Sequence, residues 1–192
     1  MRSDSSKTQW IEAASATVGS YQRMIHGILS QLSDMELRTR PRPDMNSVAV
    51  ILRHLGGNLA SRWTDFMSTD GEKPDRDRDR EFTDWEGDRE SLIAYFNSGW
   101  NALSNALTQI DAETLDRPIY IRGERHTIAD ALMRSLTHLS YHVGQMALIA
   151  RIVHGGAWDW LTIPPGGSAQ HNKHTWGTTA SRSVFGKDPC EK

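Results

Sequence analysis

Apolar residues recur along this chain mostly at steps of three and four. Trp10, Ala14, Val18, Tyr21, Ile25, Ile28 and Leu32 make the first such row, which is the spacing of an amphipathic helix. Ser33 and Glu36 then form a capping-box pattern for a short helical turn. "RTRPRPDMNS" interrupts the periodicity, because each proline disfavours helix in the residue before it. A second helix is predicted to begin after Asn46 or Ser47 and to end near "STDGEKP". Its main face carries Val48, Leu52, Leu55, Leu59, Trp63 and Phe66. "DRDRDRE", residues 75–81, has no apolar position and alternates in sign, so a solvated loop is expected there. A third helix is predicted over 85–110, with Leu92, Phe96, Trp100, Leu103, Leu107 and Ile110 on one side.

Only "RPIYIRGERHT" reads as strand: Ile119, Tyr120 and Ile121 stand beside the turn-prone Gly123, which predicts a small hairpin. Thr127 and Asp130 form another capping box for a helix over 128–153. That helix is expected to stop on Gly155 and Gly156 as a C-terminal cap. Beyond it the chain is rich in Gly, Ser, Thr and Trp and is expected to be irregular. These elements predict an all-α fold, a four-helix bundle with a hairpin before its last helix. One domain with a C-terminal extension is expected over 1–177, and a disordered tail over 178–192.

Composition excludes more than it assigns. The 192 residues suit a single domain with a substantial core. A net charge of −2 gives no bulk electrostatic case for nucleic acid. The one cysteine, Cys190, rules out an intramolecular disulfide. The sequence shows no apolar run long enough for a bilayer and no leader pattern, so a cytoplasmic setting without a membrane partner is expected.

Candidate chemistry lies inside two helices. One row of the last helix reads Ile128, Ala131, Ser135, His138, His142, Gln145, Ile149 and Ile152, apolar at both ends and polar in the middle. A solvent face is not normally bracketed that way, so the polar centre is expected to be buried or at a cleft, where imidazoles need partners. The four-residue spacing of His138 and His142 stacks both rings on one side of the helix. Two nitrogens can then meet one ion at about 2.0–2.1 Å each. The alternative is a pair of core histidines bonded to neighbouring side chains. On the second helix, His54 shares a row with Val50, Ile51, Asn58, Arg62 and Asp65. Gly56 and Gly57 would each cost roughly 1 kcal/mol there relative to alanine, which points to close approach of another element or a ligand. His54 is either a third nitrogen ligand from a facing helix or a half-buried histidine at the edge of a packing face.

The strings "NSVAVILRHLGGNLASRWTDFMSTDGEKP" and "IRGERHTIADALMRSLTHLSYHVGQMALIA" together resemble the DinB/YfiT-like superfamily of metal-dependent enzymes. "IPPGGSAQHN" is similar to the tail of an uncharacterised DinB-like branch, and the resemblance runs over residues 10–172. It implies a bundle of up-down-down-up order, often dimeric, with a divalent ion, zinc or nickel, held by three histidines. Those ligands fall on His54, His138 and His142. Thiol-dependent S-transferases in the superfamily imply a small-molecule substrate and a low-molecular-weight thiol. Three protein ligands leave a coordination position open, so metal-assisted hydrolysis is the alternative, with Asp65 and Glu124 as candidate bases. A non-catalytic metal-containing binding or stress-response module is the third reading. Asn58, Arg62, Tyr141 and Gln145 lie on or beside the histidine rows and are expected to line the pocket or hold the imidazoles. Arg122, Glu124 and Arg134 are candidates for a carboxylate-bearing substrate or for surface ion pairs.

Overall fold

The computed structural model describes residues 2–175; the expected disordered tail at 178–192, Cys190 included, lies outside them. Its architecture is mostly helical, with six α-helices and one two-stranded sheet among the described residues. Helix α1 spans Arg2–Leu29 and turns Val18, Ile25 and Ile28 into the core. The box predicted at Ser33 forms: its hydroxyl accepts from the Glu36 N–H while the Glu36 carboxylate accepts from the Ser33 N–H, opening α2, Asp34–Arg38. Ser47 caps α3, Val48–Trp63, by accepting from the Val50 N–H. Asp88 does the same for α4, Arg89–Gln109, by accepting from the Ser91 N–H. The cap explains why α4 begins later than its periodicity suggests, since Asp88 sits in extended backbone.

Helices α1, α3, α4 and α5 contribute to one apolar core. Helix α3 is its axis, with every residue over 48–57 buried. It packs mainly on α4 and also on α5, while α1 packs on α5. The paired glycines of α3 earn their place here. A Cβ on Gly56 would stand 3.0 Å from Phe96 Cα, and one on Gly99 of α4 would meet the Gly56 carbonyl. Close approach of another element, expected from the sequence, is therefore what Gly56 permits.

The hairpin pairs β1, Pro118–Ile121, with β2, Glu124–Thr127, placing Ile119 opposite His126 and Tyr120 opposite Arg125. Its two-residue turn puts Arg122 at φ 55 and Gly123 at φ 74. Both N–H groups donate to the Asp70 carboxylate, at 2.7 and 2.8 Å. The turn is thus clamped to the loop after α3. Thr127 and Asp130 form the predicted box at the start of α5, Ile128–Val153.

Three expectations are corrected. Helix α5 does not end on a glycine cap: His154 follows it in extended backbone (φ −72), and neither Gly155 nor Gly156 is left-handed. Instead the Glu36 carboxylate takes the Gly155 N–H at 3.0 Å and lies 3.1 Å from His154 Nδ1. A side chain from α2 fixes the exit, so no special backbone is needed. The stretch beyond is not wholly irregular, because α6 forms over Ser168–Thr175. The charged run over 75–81 is not wholly solvated either: Arg76 folds inward and Glu81, in a 3-10 turn at Arg80–Phe82, is buried. No helix among the described residues is long and apolar enough to cross a membrane.

Candidate metal centre

Helix α3 brings His54 against the polar middle of α5. His54 and His142 are buried and His138 is half-buried. His138 Nε2 lies 3.0 Å from His54 Nε2 and 3.1 Å from His142 Nε2. One donor nitrogen from each ring falls within 4.8 Å of the other two. Two nitrogens held about 2.0–2.1 Å from a tetrahedral ion are themselves about 3.3 Å apart. Two of the three separations are close to that spacing, and the third lies within 4.8 Å.

The far sides of two rings decide which nitrogens face inward. His54 Nδ1–H donates to Glu81 Oε2 at 2.8 Å, because a carboxylate can only accept. His142 Nδ1–H donates to the Gln145 amide oxygen at 2.9 Å. With the proton on Nδ1, each Nε2 keeps a lone pair directed at the common point, the usual arrangement behind a ligating histidine. Burial lowers the His138 ring to about 3, aided by the neighbouring His142 and His54. Burial and His54 lower His142 to about 4, with the Gln145 hydrogen bond acting the other way. Both rings are therefore neutral at physiological pH, the form that binds metal.

Glu81 and Arg76, which the sequence did not single out, stand behind His54. Arg76 clamps the Glu81 carboxylate through Nε and Nη2, both at 2.8 Å, and reaches Glu72 through Nη1 at 3.1 Å. Burial alone would raise the Glu81 carboxyl, but the His54 hydrogen bond and the Arg76 charge hold it below the ordinary carboxylate range. It stays ionised behind His54. The one sequence signal was Gly57, where a Cβ would collide with the Glu81 carboxylate and crowd the Tyr95 hydroxyl.

In front of His54 and His138 opens a cavity of about 310 Å³, lined also by Asn58, Arg62 and Ser135. Asn58 and Arg62 thus border the same space as His54 and His138. Gln145 serves His142 from within α5, and the exposed Tyr141 sets its ring edge-on to His142, 4.9 Å between centroids. The two candidate bases are placed elsewhere. Helix α3 ends at Trp63, so the row that carries His54 stops before Asp65, which is exposed in a left-handed turn (φ 49). Glu124 lies exposed on β2, 3.5 Å from His126. Neither lines the cavity. A larger cavity, about 630 Å³, is lined by Glu81 and Arg76 with Arg53 and Tyr95, but by none of the three histidines. The histidine cluster borders the smaller one, through His54 and His138.

No curated protein and no solved structure matches the chain. Residues 5–167, most of its length, match the family described as protein of unknown function (DUF1572), and the chain belongs to that family.

Proposed function

We propose that this protein is a metal-dependent enzyme of DinB-like type, a four-helix bundle of up-down-down-up order whose His54, His138 and His142 hold a divalent zinc or nickel ion. The observation that carries this reading is the convergence of three Nε2 atoms, two of them with their Nδ1–H groups engaged from behind. When bound, such an ion supplies Lewis acidity and lowers the pKa of a thiol or water that it coordinates. The chain's own groups supply the rest. Glu81 orients His54 and adds negative charge behind it, which strengthens the ring as a donor. Gln145 fixes the His142 ring. Asn58 and Arg62 follow His54 along α3 and line the space that a substrate would enter.

Transfer to a low-molecular-weight thiol fits this cavity better than hydrolysis. Hydrolysis needs a general base within hydrogen-bond reach of the attacking water, and no carboxylate is among the lining residues. A thiol starts far more acidic than water, so one held at such an ion would be ionised at neutral pH, its proton passing to solvent without such a base. The reading includes a cytoplasmic homodimer, for which Tyr141, Leu148 and Ile152 on α5 offer an exposed apolar face.

Elemental analysis of protein purified without chelator is the first test. The wild type should carry close to one divalent ion per chain and His142→Ala only a trace. A wild type with trace metal sinks the proposal. Conjugation of monochlorobimane with small thiols then tests the reaction, and metal-loaded protein that turns over none of them would be a binding module instead.

A further inference from the structure

Five guanidinium groups, those of Arg62, Arg76, Arg78, Arg122 and Arg134, line the cavity in front of His54 and His138. Two carboxylates meet this set: Glu81 pairs with Arg76, and Glu72 bridges Arg76 and Arg122. Arg62, Arg78 and Arg134 have no ion-pair partner among the described residues. This cationic lining is only partly neutralised by ion pairs as it stands.

Arg62 shows this most sharply. Its Nη1 is buried and makes no hydrogen bond, although buried polar groups, and charged ones above all, are normally paired. Burial pulls its pKa down to about 10, and Arg134, Arg76 and Arg122 push the same way, against the carboxylates of Glu72 and Asp70. Gly71 gives the group its room, since a Cβ there would stand 3.1 Å from Nη1. The guanidinium is therefore packed into place while its donor lacks an acceptor.

We propose that the cavity binds the anionic group of the substrate, a carboxylate or a phosphate, with Arg62 as the main contact and Arg134 and Arg122 completing the clamp. Planar guanidinium donors match both oxyanions with paired hydrogen bonds. A cavity of about 310 Å³ suits a small-molecule group rather than a protein segment. The inference rests on the metal-centre reading only in setting the anion beside a reacting group; the arginines hold it with or without an ion.

The test uses the full chain in two preparations, chelator-stripped and metal-loaded. Each is titrated calorimetrically at low salt with methyl phosphate, with succinate and with the neutral succinamide. At least one anion should bind saturably to both preparations, and succinamide to neither; the preferred anion identifies the substrate's chemistry. Arg62→Met should weaken binding about 10- to 100-fold, the worth of hydrogen bonds to a charged group. Arg62→Lys should recover part of it. Arg134→Met, at an exposed position, should weaken it several-fold and decides the matter if Arg62→Met does not fold. Metal content of the arginine variants should equal the wild type, which separates the two readings. Anion binding without metal uptake would remove the metal centre and leave this site standing. No saturation by either anion, or equal affinity in wild type and Arg134→Met, overturns it.

Discussion

Two histidine–carboxylate pairs in this protein are built from the same groups and end with different chemistry. His54 Nδ1 lies 2.8 Å from Glu81, and His154 Nδ1 lies 3.1 Å from Glu36. The first pair is buried, both side chains 4% exposed, while the second, at the end of α5, is 16% and 17% exposed. Burial alone does not separate their roles; the second ring nitrogen does. His154 Nε2 faces the Ala157 carbonyl at 3.2 Å, so both its nitrogens are engaged by oxygen acceptors. His54 Nε2 faces the nitrogens of other histidines. A carboxylate beside a histidine is a chain fastening in one place and, in the other, the support behind a ring of the proposed metal centre.

The comparison can be broken most directly at the histidines. His54→Ala should lower metal affinity by more than about 100-fold, beyond the usual effect of losing a supporting group, whereas His154→Ala should leave it unchanged. Elemental analysis after reconstitution reads both, and equal losses would erase the distinction. Glu81→Ala should come next, lowering metal affinity about 10- to 100-fold. It should also destabilise the fold by about 3–5 kcal/mol, because Arg76 stays buried without its main counter-charge. Competition with a chromophoric chelator and urea denaturation measure the two effects. Gln145→Ala should cost less, about 10-fold or below, since a neutral amide supports its ring without a charge; the same competition assay checks it.

The smallest effect belongs to Glu36. Hydrogen bonds from the Ser33 hydroxyl and backbone, then from Gly155, hold its carboxyl at about 2, below the ordinary 4.5. A carboxylate depressed in the folded state adds stability above its unfolded pKa, and that contribution fades as pH falls through the folded value. Glu36→Gln should therefore melt below the wild type at neutral pH, with the gap closing between about 4.5 and about 2. Melting curves across that interval would show it, and a constant gap would mean that the charge is not what matters.

The helices and their caps were legible in the sequence because both depend on neighbours three or four residues away. The cluster of three histidines was legible for the same reason on α5, and through resemblance on α3. Glu81 was not. It lies in a run without periodicity, and a contact spanning 27 positions brings it to His54. Only Gly57 hinted at it, by marking where something had to come close. Asp65 misled in the opposite way: it continues a helical row past the point where the helix stops. Gly155 and Gly156 looked like a cap by composition, but a carboxylate 119 positions away does the fastening.

The hairpin turn sets backbone preference and side-chain charge against each other. With positive φ at both of its central residues, it is a turn in which asparagine or glycine is the preferred first residue. Arginine there carries a penalty of about 1–2 kcal/mol, partly offset by Asp70. Arg122→Asn should raise the melting temperature and weaken anion binding in the same molecule. The local cost thus falls on a side chain whose charge pairs with Glu72 and borders the proposed anion site.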